Sequence, residues 1–193
     1  MPVIAWLVRN WTKRGSLSQT TKLRGGGLIS FWLFALLLVA LDLLTKSWVF
    51  SITNEGPIFL SGDWLVLHQT TNPGGIFGLG QDLTVALTCL RMVAVGVLVF
   101  LVFRQAAENR RGLFVLALLF GGAVGNLWDN LSRWMPWPGN GEVRDFLLVD
   151  LGFWPFHPWP SFNFADACIS VSFLLLVTGL AKIELEKQAK ETC

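Results

Sequence analysis

The stretch LISFWLFALLLVALDLLTKSWVF, residues 28 to 50, decides how this chain is read. As a helix it is long enough to cross a hydrocarbon core, which takes about 20 apolar residues. Near its end sit Asp42 and Lys46, one helical turn apart with the acid first, the favourable order for an ion pair. Charges inside a membrane span are costly and face protein or a polar cavity, so this helix needs partners that cover its charged patch.

The rest of the chain supplies them. Of its 193 residues 53% are hydrophobic, with ten Trp and fifteen Phe but no Tyr, and the mean hydropathy is +0.54. That composition excludes an ordinary soluble domain. Further apolar runs cover about 83–103, 112–131 and 164–181, so the sequence predicts an all-α membrane protein, a four-transmembrane-helix bundle. The expected layout is a basic N-terminal extension over 1–27, the four-span body over 28–182 and a tail over 183–193. The long basic lead into the first run argues for an uncleaved span over a signal peptide.

Arg9, Lys13, Arg14, Lys22 and Arg24 precede the first run, Arg104, Arg110 and Arg111 join the second and third, and Lys182, Lys187 and Lys190 follow the fourth. Basic residues mark cytoplasmic segments, so both termini are expected inside and residues 51–82 and 132–163 outside. The net charge of +2 follows this topology, and no nucleic-acid patch stands out. Cys89, Cys168 and Cys193 show neither metal-ligand spacing nor a disulfide framework.

In the first outer connection, residues 57–60 and 64–68 flank the turn 61–63 and predict a small external β-hairpin. It leads into TTNPGGIFGLG, residues 70 to 80, where Gly74, Gly75, Gly78 and Gly80 allow backbone shapes closed to other residues. Such a loop can bring backbone N–H groups against a ligand. The second connection carries Trp134, Trp137, Trp154 and Trp159 among Pro and Gly breaks, and indole rings favour the membrane interface. It is expected to lie against lipid headgroups, or equally to pack its Trp rings on the hairpin.

Polar residues recur at helical spacing in the later runs. Gly122, Asn126, Asp129 and Arg133 form one stripe, in which Asp129 could pair with Arg133, while Gly121 and Gly125 permit close helix approach. Asn163, Asp166 and Ser170 form another, with Asn163 placed to cap its helix. Asp42, Lys46, Asp129, Asp145 and Asp166 thus all fall at the outer level of the bundle. Two aspartates at close quarters can share one proton, leaving an acid beside a base. The residue pattern alone does not rank Asp145 above Asp129 for that role. It equally allows an ion- or proton-coupled transporter, or polar groups that merely bind helices together. No H-E-x-x-H, G-x-S-x-G or Walker-type loop is present, which argues against metalloprotease, serine hydrolase and nucleotide chemistry. Arg91, deep in the second run, has no role that the sequence reveals.

Five blocks in order, LDLLTK, NPGGIFG, GGAVGNLWDN, VRDF and FNFADACI, resemble those of lipoprotein signal peptidase, signal peptidase II, over about residues 28–182. The resemblance implies an aspartyl endopeptidase of the bacterial inner membrane that removes signal peptides from diacylglyceryl-cysteine prolipoproteins. It makes Asp145 and Asp166 the catalytic dyad. Asp42, Lys46, Asn72, Gly74, Asn126, Asp129 and Asn163 become supporting or substrate-binding residues. Lipid-modified prolipoprotein and membrane phospholipid are the implied partners, with no cofactor, metal or obligate protein partner. The chain departs from the family pattern in having Asn130 where Arg usually follows the third-run Asp, in Pro73, Gly75 and Ile76, and in a longer stretch from Asp129 to Asp145.

Overall fold

The computed structural model describes residues 2–73, 84–105 and 108–185, and of residues 2–25 the backbone alone. In chain order these form α1 (Pro2–Ile52), β1 (Ile58–Ser61), β2 (Leu65–Asn72), α2 (Thr84–Arg104), α3 (Arg110–Leu131), β3 (Val143–Val149), β4 (Trp159–Phe162) and α4 (Phe164–Val177). Among the described residues three helices are long and apolar enough to cross a membrane: the Gly26–Ile52 part of α1, α2 and α3. The fourth expected run is shorter than its sequence suggested. α4 has 14 residues and ends at Val177, where Gly179 at φ +71° turns the chain and the Ala181 N–H donates back to the Leu175 carbonyl at 3.1 Å. At 1.5 Å per residue α4 is about 21 Å long, less than the roughly 30 Å of a hydrocarbon core.

α3 is the central helix and packs on α1, α2 and α4. The inward face of α1 can be followed as Phe31, Ala35, Leu38, Asp42, Lys46 and Val49, all buried at steps of three and four, while Leu33, Leu36, Leu37, Leu44 and Trp48 on its other faces are exposed. Exposed leucines suit lipid. Lipid tails are as apolar as leucine, so helices in a bilayer associate through close packing of small residues. The glycines of α3 provide it: a Cβ on Gly121 would lie 2.7 Å from Leu38 Cβ, and one on Gly122 would lie 2.6 Å from the Ala165 carbonyl of α4. The Asn109 side chain caps α3 by accepting from the Gly112 N–H at 2.8 Å, and its amide donates to the Lys182 carbonyl at 2.7 Å.

The expected hairpin is present as β1 and β2, but it is half of a larger element. β3 and β4 extend it into a four-stranded antiparallel sheet in the order β1-β2-β3-β4. The second connection, expected to lie against headgroups or to pack its Trp rings on the hairpin, supplies two strands of this sheet, and VRDFLLV has the β-branched and aromatic residues a sheet takes up. Val49 of α1, Leu67 of β2 and Phe146 of β3 form one buried cluster, which seats the sheet on the end of the bundle. That seat brings β3 beside the charged patch of α1.

Candidate active site

Lys46 is the hub of the charged layer. It is wholly buried; its ammonium donates to Asn126 Oδ1 at 3.0 Å and forms ion pairs with Asp42 Oδ2 at 2.7 Å and Asp129 Oδ2 at 3.1 Å. Asp42 in turn accepts the Ala165 N–H of α4 at 2.9 Å. α1 reaches this layer because Gly125 has no side chain: a Cβ there would stand 2.5 Å from Asp42 Oδ2.

Asp129 does not pair with Arg133, which is exposed and makes no ion pair among the described residues. Its cations are Lys46 and Arg144, whose Nε and Nη2 donate to Oδ1 at 3.0 and 2.8 Å and whose backbone N–H donates to Oδ2 at 3.1 Å. One helical turn from Asp129 to Arg133 looks apt in sequence. The strand wins because it brings a main-chain donor and a guanidinium to the carboxylate together. Alternation along β3 then sends the next side chain the other way, so Arg144 serves Asp129 while Asp145 enters the layer from its own face.

Asp145 is 3% exposed. Its Oδ1 accepts from Asn163 Nδ2 at 2.7 Å, and Asn72, at the end of the neighbouring strand β2, hydrogen-bonds the same carboxyl. Asn163 is the N-cap of α4 in a full capping box: its side chain accepts the Asp166 N–H at 2.9 Å, and Asp166 Oδ2 accepts the Asn163 N–H at 3.1 Å. Asn126 closes the circuit. Its Nδ2 donates to Asp166 Oδ1 at 2.8 Å, while its Oδ1 accepts from Asn163 at 3.1 Å and from Lys46. Asp145 and Asp166 are thus joined through two asparagines. Burial, and then the charge of Asp166, push the Asp145 carboxyl up to about 7, against the opposing effects of Asn163, Lys46 and Asn72. A carboxyl raised this far and linked to a second aspartate is a charge pattern that supports general acid and base chemistry on one substrate.

Of the residues singled out in the sequence, Asp42, Lys46, Asn72, Asn126, Asp129, Asp145, Asn163 and Asp166 meet in this one layer. Gly74 lies outside the described residues. Residues 34–182 match the model of the family described as Signal peptidase (SPase) II. The chain belongs to the signal peptidase II family. It is 33% identical over 167 residues to the lipoprotein signal peptidase of Syntrophus aciditrophicus, covering 83% of this chain and 97% of that protein. It is 32% identical over 191 residues to the lipoprotein signal peptidase of Amoebophilus asiaticus, covering 82% and 78%. A solved bacterial membrane enzyme at 24% identity shares the fold with a TM-score of 0.64 over 79% of this chain and 93% of its own.

A signal peptidase II is a membrane peptidase, and this membership leaves the transporter alternative without support. The sequence reading missed three members of the site. Arg144 was visible inside VRDF, where strand alternation alone gives neighbouring residues different partners. Asn130 and Arg91 were each visible as oddities, an amide where the family has a guanidinium and a lone cation in an apolar helix. They meet: Arg91 Nη1 donates to Asn130 Oδ1.

Proposed function

We propose that this protein is an aspartyl endopeptidase of a bacterial inner membrane that cleaves the peptide bond before a diacylglyceryl-modified cysteine and so frees the signal peptide of a prolipoprotein. The observation that carries the reading is the linkage of Asp145 to Asp166 through Asn163 and Asn126 in one buried layer. Asp145, with its raised pKa, holds the shared proton. Asp166 takes a proton from water as the water oxygen attacks the scissile carbonyl carbon, and Asp145 gives its proton to the carbonyl oxygen. Collapse of the tetrahedral intermediate breaks the C–N bond: the departing nitrogen receives a proton from Asp166, and one of the two hydroxyls returns its proton to Asp145 as the new carboxyl forms, which restores the singly protonated pair.

Depth favours this substrate. A signal peptide lies in the bilayer with its lipidated cysteine near the outer interface. On this reading α4, with residues 178–181, is the fourth crossing, both termini are cytoplasmic, and the sheet and carboxylate layer face the periplasm. Asn72 leads directly to Gly74, and this segment would grip the substrate. Trp154 is 90% exposed beside an exposed Phe153, which suits contact with phospholipid headgroups or the substrate's acyl chains.

The test is cleavage by the purified full chain in lipid. A diacylglyceryl-cysteine peptide should be cut and its unlipidated twin left intact. Folded Asp145→Asn and Asp166→Asn variants should both be inactive. Substantial cleavage by either variant removes the dyad assignment, and equal cleavage of both peptides removes the lipoprotein substrate.

A further inference from the structure

Arg91 stands about two turns into α2, an apolar helix whose other faces are largely exposed. A guanidinium at that depth is costly unless something holds it. Asn130 does so. This residue is 1% exposed, and its Nδ2 donates to the Gly141 carbonyl at 2.8 Å, which leaves Oδ1 as the acceptor turned to Arg91. The same amide therefore anchors both the guanidinium and the loop that enters β3 just before Asp145. The charge of Arg91 acts on Asp166 and, less strongly, on Asp145.

Charge balance indicates what the guanidinium is for. Among the described residues the layer holds four acids, Asp42 of α1, Asp129 of α3, Asp145 of β3 and Asp166 of α4. It holds three cations, Lys46 of α1, Arg144 of β3 and Arg91 of α2. Lys46 is bound to Asp42 and Asp129, and Arg144 is bound to Asp129. One proton on the Asp145 and Asp166 pair leaves three negative charges against three positive ones, and only with Arg91 counted. Without it the pair's own negative charge would have only a share of Lys46, which Asp42 and Asp129 already bind, in a site largely closed to water.

We propose that Arg91 is the counter-cation of the Asp145–Asp166 pair, a positioning residue held by Asn130 that keeps the pair singly ionised. This rests on the reading of those two acids as the dyad. The decisive readout is a carboxyl titration, which does not depend on cleavage. The full chain carrying 13C-labelled aspartate carboxyls is titrated by NMR in lipid nanodiscs, with Asp145→Asn and Asp166→Asn spectra giving the assignments. A cation beside a carboxylate holds its pKa about 1–3 units down, so Arg91→Gln should raise the pair's lower ionisation by about one unit. Arg91→Lys should stay near the parent. Arg91→Gln/Asn130→Arg, which returns a guanidinium to the same spot from α3, should return the titration with it.

In the cleavage assay the acid limb of the kcat/KM profile should move upward by the same amount in Arg91→Gln and return in the double variant. An unmoved titration in Arg91→Gln, whatever its activity, overturns the proposal and leaves Arg91 a packing residue. Should Arg91→Gln fail to fold, the double variant decides: a parent-like lower ionisation supports the proposal and a raised one overturns it. A parent protein that never cleaves lipidated peptide would sink the peptidase reading, yet the carboxyl titration would still answer for Arg91.

Discussion

Asn126 and Asn163 hydrogen-bond each other at 3.1 Å, and each donates to a different aspartate, Asn126 to Asp166 and Asn163 to Asp145. The two acids come from a strand and a helix with a long loop between them, and what joins them is a pair of amides whose orientations their other partners fix. Lys46 donates to Asn126 Oδ1, and the Asp166 N–H donates to Asn163 Oδ1. Neither amide can flip without setting donor against donor or acceptor against acceptor.

Asn163→Ala should therefore do two separable things. Loss of the cap is expected to lower stability by about 1 kcal/mol, the usual effect of removing an N-cap side chain. Cleavage should fall much further, by about 100-fold, since displacing a reacting group by an ångström has that effect. Asn163→Ser keeps a capping oxygen but cannot span Asp145 and Asn126, so it should restore stability without activity. Unfolding curves and cleavage rates on the same samples check both halves, and a serine variant with parent activity would remove the bridging role.

The pH dependence follows from Asp145. Burial and the charge of Asp166 raise its pKa to about 7, so below that pH the pair keeps its shared proton and above it the proton is lost. Cleavage should decline as pH rises through about 7, with the fall belonging to the pair as a unit. For stability, a raised folded-state pKa means that between the ordinary 3.8 and about 7 the native chain binds a proton that the unfolded chain has released. That stabilisation is complete below the lower value and is lost as pH rises to the upper one. Asp145→Asn does not titrate, so its melting temperature relative to the parent should be higher at pH 8 than at pH 5, while its cleavage is abolished at both. Equal differences at the two pH values would show that Asp145 has no raised pKa in the folded chain.

The helices were legible because their signal is local: apolar runs of spanning length need no knowledge of partners. The polar residues of α1, α3 and α4 were legible for a related reason, since helical spacing alone puts Asp42 with Lys46 and Asn163 with Asp166. The sheet was legible only at its hairpin, where two strands and a turn are adjacent in sequence. β3 pairs with β2 across all of α2 and α3, and no periodicity announces such a partner. For that reason the residue pattern could not rank Asp145 above Asp129, nor assign Asp129 to Arg144. The early end of α4 was hidden too, because composition stays apolar past Val177 while Gly179 turns the backbone.

The Lys46 hub predicts a strong, one-sided interaction. Lys46→Met leaves Asp42 buried without a cation, whereas Asp129 keeps Arg144. Breaking a buried pair from one side costs about 3–5 kcal/mol, much of it the uncompensated charge that remains. Adding Asp42→Asn removes that charge, so the double variant should be more stable than Lys46→Met alone. A double-mutant cycle measured by unfolding in detergent checks this, and additive losses would mean that the two residues do not interact.

Gly125 offers a final test of how the charged layer is admitted to the bundle. Its absent Cβ leaves the space that Asp42 Oδ2 occupies, at 2.5 Å from where a methyl would stand, and Asp42 is held by Lys46 at Oδ2 and by the Ala165 N–H at Oδ1. The carboxylate has nowhere to retreat without giving up one of these partners. Gly125→Ala should therefore destabilise by about 1–3 kcal/mol, as overpacking of a close interior does. Cleavage should fall with it, because Asp42 anchors the first turn of α4, which carries Asp166. Gly96→Ala in α2 is the matched control. Nothing lies within 4 Å of its would-be Cβ, so the same substitution there should leave cleavage unchanged and gain up to about 1 kcal/mol from better helix propensity. Parent-like stability and cleavage in Gly125→Ala would mean that α1 and α3 stand farther apart at this level than the Asp42 contact requires.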